Sequence, residues 1–163
     1  MCTCNYIIRK IKVDDKPAIL DIFNYYVENS MAAYSEKPVN EEYFFHGIKE
    51  SWFYVVEIEQ KIAGFAFLRP FRATPTSSHV AQIGYFIDSK CTHKGLGKKL
   101  LDTLFKIAGA DGITEILAHV SSLNTPSLNF HKKQGFNECG RFKNVIIKNG
   151  IPIDMVWFQK SVK

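Results

Sequence analysis

The chain has 163 residues, of which 46% are hydrophobic and 23% charged, the composition of an ordinary globular domain and not of a disordered chain. No apolar run approaches the roughly 20 residues of a membrane-spanning helix, and the opening Met-Cys-Thr-Cys-Asn-Tyr is neither basic nor apolar enough for a secretory signal. Lys and Arg number 21 against 16 Asp and Glu, a net charge of +5 that favours anionic partners without choosing among nucleic acid, a membrane surface and a phosphorylated ligand.

In chain order, Asn5 to Lys12 reads as a first strand. Asp14 or Asp15 is placed to cap a helix with Pro17 in its first turn, where a missing N–H costs nothing. Behind them Ala18, Ile19, Ile22, Phe23, Tyr26 and Val27 recur at helical spacing. A weaker helix is expected from Asn40 to Lys49. The period then changes: Trp52 to Glu57 and Ile62 to Leu68, parted by Glu59-Gln60-Lys61, read as a hairpin.

Pro70 to Ser78 reads as a loop leading into a strand from His79 to Asp88. Alternation puts Gln82, Gly84 and Phe86 on one face of that strand and Ala81, Ile83, Tyr85 and Ile87 on the other. A long helix is expected from Gly95 to about residue 109, with Leu100, Leu101, Leu104, Phe105 and Ala108 inward. A strand from Ile113 to Val120 follows, then a helix from Asn124 to Gln134 that Gly135 ends in the left-handed conformation. Arg141 to Lys148 and Ile151 to Phe158 close the chain as a hairpin. The order β-α-α-β-β-β-α-β-α-β-β implies a single α/β domain over residues 1–163, with a mixed, mainly antiparallel central sheet flanked by helices.

The cysteines, Cys2, Cys4, Cys91 and Cys139, have no zinc-ligand spacing. They read as reduced thiols of a cytoplasmic protein, and no metal is expected. The lysines scatter without an aromatic-basic ribbon, so no nucleic-acid partner is expected either.

Chemistry enters at Thr92-His93-Lys94-Gly95-Leu96-Gly97-Lys98, where a strand ends and a helix begins. Glycines two apart let the backbone approach an anion closely, and the first free N–H groups of the helix point at it. A pyrophosphate suits such a turn, with His93, Lys94 and Lys98 adding positive charge. The phosphate loop of nucleotide hydrolases is excluded because Lys98 is followed by Lys99 and not by a hydroxyl. The dinucleotide fingerprint is excluded because position 100 is a leucine.

Ile83-Gly-Tyr-Phe-Ile-Asp88, then Lys94-Gly-Leu-Gly-Lys-Lys-Leu-Leu101, then Asn124-Thr-Pro-Ser127 through Phe130, His131, Gly135 and Phe136 resemble the GCN5-related N-acetyltransferases. Ile8-Arg9, Ile19 to Asn24, Pro70-Phe-Arg72 and Lys148-Asn-Gly150 with Asp154 narrow the resemblance to the phosphinothricin acetyltransferase branch. It implies acetyl-coenzyme A as cosubstrate, a small amino-acid-like amine as acceptor, and a homodimer. Coenzyme contacts then fall on Phe86, Ile87, His93, Lys94, Gly95, Leu96, Gly97, Lys98, Asn124, Ser127 and Phe130. His131 stands where the branch carries the group that protonates the departing thiolate, a task suited to a side chain titrating near neutrality. Arg72 is left to hold an acceptor carboxylate.

The chain also departs from the pattern. Thr92 replaces an Arg or Gln, and Thr74, Thr76, Ser77, Ile146 and Pro152 replace acceptor-side residues of the branch. Gln82 replaces the branch glutamate that takes a proton from the acceptor ammonium, and an amide can hold a water or the acceptor but cannot act as that base. Two other readings therefore stay open: an acetyl-coenzyme A-binding module without turnover, and an acetyltransferase acting on a protein N-terminus.

Overall fold

A computed structural model describes residues 5–162; Cys2 and Cys4 lie outside the described residues. The elements follow in the expected order: β1 (Tyr6–Lys10), α1 (Lys16–Asn29), α2 (Glu41–Phe45), β2 (Phe53–Ile58), β3 (Lys61–Pro70), β4 (Val80–Ile87), α3 (Leu96–Ala110), β5 (Glu115–Ser121), α4 (Thr125–Lys133), β6 (Asn137–Lys148) and β7 (Ile151–Ser161). The seven strands form one sheet in the order β1-β2-β3-β4-β5-β7-β6. Only the β4–β5 pair is parallel, as the crossover through α3 demands.

Each face of the sheet buries its own core. On one side Leu96, Leu100, Leu101, Leu104 and Ala108 of α3 pack on Ala66, Leu68, Ala81, Ile83, Ile116, Ala118 and Phe158. The small alanines of the strands let the leucine ridge sit close to the sheet. On the other side Ile19 and Ile22 of α1 and Phe44 of α2 close over Phe53, Phe65 and Phe67. Those three strand phenylalanines stack on one another with centroids 5.4–6.3 Å apart. Each buried phenylalanine contributes about 1.5–3 kcal/mol.

The boundaries differ most from the sequence expectation in two elements. The second helix is one short turn, Glu41–Phe45, because His46 leaves helical geometry and Gly47 turns left-handed at φ +72°. Strand β6 begins four residues early, at Asn137, because backbone pairing to β7 extends through a polar, exposed segment that shows no alternation. Gly135 adopts φ +81° after α4, as expected.

Asp15 does not cap α1 with its side chain. Its carboxylate instead accepts from Arg9 Nη1 at 2.7 Å, from Arg9 Nη2 at 2.9 Å and from the Lys12 N–H at 2.7 Å. Arg9 also reaches Glu57 with Nε and Nη2, so one guanidinium ties β1 to β2 and to the start of α1. The Arg9 contact, helped by the Lys12 N–H, holds the Asp15 carboxyl below the usual carboxylate range.

The far end of α1 is held by a buried lysine. Lys148, 1% exposed at the end of β6, donates to the carbonyls of Val27 at 2.6 Å, Ser30 at 2.8 Å and Ala33 at 2.8 Å. A cation at a helix C-terminus meets the negative end of the dipole, and three carbonyls use all three ammonium hydrogens. Lys148→Met fills the space but leaves the carbonyls unpaired. It is expected to lower stability by about 3 kcal/mol in urea unfolding; a loss under about 1 kcal/mol would show that water replaces the ammonium.

Candidate active site

The site begins with a break in the sheet. Strands β4 and β5 share only the pairs Val80–Glu115, Ala81–Ile116 and Gln82–Leu117, although β4 runs on to Ile87 and β5 to Ser121. Beyond Gln82, β4 stays with β3 as far as the Gly64–Ile87 pair, and β5 stays with β7 as far as Ser121–Met155. The two strands therefore part like the arms of a V. Phe71 donates to the Val80 carbonyl and Asp88 to that of Ala63, which turns the backbone groups of even-numbered β4 residues towards β3. The backbone of Tyr85 and the N–H of Ile87 consequently face the gap, without a strand partner among the described residues. The Ile87 carbonyl is taken by the Tyr26 hydroxyl at 2.6 Å.

The mouth of the gap lies at the N-terminus of α3. His93 and Gly95 are both left-handed, at φ +63° and +74°, and this turn releases the chain directly into the helix. The first helical hydrogen bond there is Lys99 N–H to the Gly95 carbonyl. The N–H groups of Leu96, Gly97 and Lys98 have no partner among the described residues, which is the arrangement that binds an anion. The Leu96 side chain is buried in the core, so only its backbone serves the turn. Lys94 is exposed, and Lys98 pairs with Asp102 at 2.6 Å on the helix surface. A Cβ on Gly97 would lie 3.6 Å from the Phe130 ring, so α4 closes over the turn.

From Phe130 the site continues inward. Its ring centroid is 5.6 Å from that of Tyr85, which in turn lies 5.5 Å from His131. His131 is 2% exposed and stacks on Phe158 at 5.3 Å. Its Nδ1 lies 2.8 Å from the Ser127 carbonyl, which can only accept, so Nδ1 carries the ring proton. Nε2 then accepts from the Tyr85 hydroxyl at 3.1 Å. Burial pushes the His131 pKa down against the opposing Ser127 bond, and burial raises that of Tyr85. At neutral pH the pair is an uncharged, hydrogen-bonded chain. Asn124 caps α4 through the Ser127 N–H. The Phe86 ring joins Phe23, Tyr26 and Phe65 on the opposite face, and its backbone pairs with Phe65. The edge at the gap is thus formed by Tyr85 and Ile87, not by Phe86.

The opposite face of the gap, towards α1, carries a different set. Arg69 and Gln82 are register partners, and Gln82 pairs with Leu117. One step further along come Phe67, Gly84, the gap, His119 and Trp157. Gly84 is required there, because a Cβ would lie 2.5 Å from the Phe67 ring. Arg69 lies over Phe67 at 5.1 Å and donates to the Phe44 carbonyl at 2.9 Å, while its buried Nε has no partner among the described residues. His119 stacks on Tyr34 at 5.6 Å and touches Trp157 at 5.3 Å. Desolvation by the surrounding side chains, and then the Arg69 charge, lower its pKa, although part of the residue remains open to solvent. Burial also pushes the Tyr34 hydroxyl up to about 12. Arg72 sits apart from these groups, exposed over the Phe71 ring at 5.5 Å.

Arg69, His119 and Tyr34 were not legible as site residues in the sequence. Arg69 shares a face with Gln82 through the β3–β4 register, which the nine-residue connection leaves unmarked in the sequence. The same holds for His119, because the parallel β4–β5 register has no turn to fix it.

A family model described as an acetyltransferase (GNAT) domain matches residues 8–157. Over 159 residues the chain is 25% identical to the phosphinothricin N-acetyltransferase of Streptomyces viridochromogenes, covering 94% of this chain and 86% of that one. Over 161 residues it is 27% identical to the L-methionine sulfoximine/L-methionine sulfone acetyltransferase of Pseudomonas paraeruginosa, covering 95% and 94%. The crystal structure of an N-acetyltransferase from Staphylococcus aureus Mu50 matches with a TM-score of 0.89 at 27% identity, over 98% of this chain and 99% of that one. The fold is therefore a known architecture, and the chain belongs to the GNAT acetyltransferase family.

Proposed function

We propose that the protein transfers an acetyl group from acetyl-coenzyme A to the amine of a small amino-acid-like acceptor, by direct attack within a ternary complex. The observation that carries this reading is the continuity of two unpaired backbone edges, the N–H groups at the start of α3 and the Tyr85–Ile87 edge of β4. A ligand with a pyrophosphate at one end and an amide-bearing arm at the other satisfies both. Bound there, acetyl-coenzyme A supplies an acetyl group activated as a thioester.

The residues divide the chemistry between two faces. Tyr85 and His131 stand on the α4 side, and that pair is where the proton returns to the sulfur. His131 serves through Tyr85, because burial and the Ser127 carbonyl remove it from direct contact with the solvent. On the α1 side Arg69 is a half-buried guanidinium with no carboxylate against it among the described residues. It suits the carboxylate of an amino-acid-like acceptor, and Gln82 beside it suits a neutral hydrogen-bonded contact. Arg72 supplies a second, exposed contact at the rim. Those acceptor classes accord with the phosphinothricin and methionine sulfoximine named for the relatives.

The exposed apolar side chains Phe142, Val145, Ile147 and Ile151, on an edge strand and its hairpin, support a two-fold dimer. The free thiols of Cys91 and Cys139 support a reducing, cytoplasmic setting.

Gly97→Val sets a branched side chain between the turn and Phe130. It is expected to weaken acetyl-coenzyme A binding tenfold or more, about 1.4 kcal/mol, in calorimetry on a folded variant; unchanged affinity would refute the cofactor site. Arg69→Met is expected to raise KM for carboxylate-bearing amines by tenfold or more with a smaller change in kcat, and an unchanged KM would remove Arg69 from the acceptor site. Light scattering at high protein concentration is expected to report twice the chain mass, and the mass of one chain would contradict the dimer.

A further inference from the structure

Gln82 leaves this chain without the carboxylate that its branch uses as the base, yet the acceptor ammonium must still lose a proton before its nitrogen can attack. The side chains on the α1 face of the gap narrow the choice. Gln82 is an amide, Arg69 is a permanent cation, and Tyr34 is a phenol pushed up to about 12. Among the described residues, one group on that face can take a proton near neutrality. We infer that His119 is the general base for the acceptor amine. This rests on the proposed acetyl transfer.

The geometry supports it from three directions. His119 follows Leu117 by two residues on β5, and Leu117 is the register partner of Gln82, so the imidazole stands on the same face, about 7 Å further along the strand, where the gap opens. Its ring is fixed between Tyr34, stacked at an interplanar angle of 21°, and Trp157. Nδ1 lies 3.4 Å from the Tyr34 oxygen, and Nε2 has no partner among the described residues. In the tautomer with the proton on Nδ1 facing Tyr34, Nε2 keeps a free lone pair. The groups facing the ring are Tyr34, Trp157 and the Arg69 charge, and no carboxylate among the described residues bonds it. The imidazole is therefore kept neutral, and the exposed position of His119 lets it release a proton to water.

The step balances as follows. The ammonium gives one proton to Nε2, and the freed nitrogen pair forms the N–C bond to the acetyl carbon while the C–S pair leaves on sulfur. The His119 imidazolium passes the first proton to solvent and takes the second from the nitrogen, while the Tyr85 hydroxyl gives its proton to the sulfur and regains one from solvent.

The test follows kcat/KM against pH, between about pH 5 and 9, for the parent, His119→Gln, and His119→Gln combined with Gln82→Glu. The acceptor is whichever member of an L-amino-acid panel releases thiol from acetyl-coenzyme A fastest. His119→Gln is expected to lower kcat/KM about 10²-fold at neutral pH and to move the acid limb up towards the acceptor's own ammonium pKa, with acetyl-coenzyme A affinity unchanged. Adding Gln82→Glu is expected to restore tenfold or more, because the carboxylate returns a base to the same face. In NMR of the parent, the His119 ring is expected to titrate below about 6.5. A His119→Gln variant within about threefold of the parent, an acid limb that stays in place, or a ring titrating above about 6.5 would overturn the assignment while leaving acetyl transfer intact. A parent that binds acetyl-coenzyme A but acetylates no amine at any pH would overturn the proposed function and this base with it.

Discussion

A strand edge without a strand beside it is the constraint on which the rest of this structure depends. Backbone N–H and C=O groups inside a protein need partners, and the sheet supplies them everywhere along β4 except where β5 turns away after Gln82. Strand β5 keeps its full ladder with β7, seven pairs from Glu115 to Ser121, and β4 keeps its ladder with β3. Both outer ladders continue past the point where the shared one stops. The fold thus leaves open a slot whose walls are already shaped for an extended, amide-bearing ligand.

Everything near the slot is arranged by that break. The strand pleat sends Tyr85 to the α4 side, where it meets Phe130 and His131, and sends Gln82 and Gly84 to the α1 side, where they meet Arg69 and Phe67. One side carries a neutral phenol–imidazole chain suited to a thiolate. The other carries a cation, an amide and a second histidine suited to an amine with an anionic neighbour. The anchors at both ends of α1, Arg9 with Asp15 and Lys148 with three carbonyls, hold the α1 wall of the acceptor side in place.

Much of this was legible in the sequence, and the part that was not has a physical pattern. Local signals read correctly: the glycine turn, the alternation that separates Gln82 from Tyr85, and Gly135 at the end of α4. Contacts to neighbours distant in sequence were less visible. Asp15 looked like a cap because caps are local, yet Arg9 and the Lys12 N–H claim its carboxylate. His131 stood out through the motif around it, but its packing on Phe158 and Tyr85 had no local signal. Arg72 drew attention as part of a motif, while the less conspicuous Arg69 occupies the half-buried position next to Gln82. Such residues are found through sheet register, which a sequence specifies well across a tight hairpin and poorly across a helical crossover.

The central claim is that acetyl-coenzyme A completes the open edge of β4 and the free N–H groups of α3. Amide hydrogen exchange followed by NMR, with and without acetyl-coenzyme A, tests it at the atoms concerned. The amides of Tyr85, Ile87, Leu96, Gly97 and Lys98 are predicted to exchange freely in the free protein and to become protected by about tenfold or more on binding, while those of β6 and β7 stay as they are. Binding that leaves these five amides unprotected would contradict the account, because the ligand would then lie somewhere other than the gap.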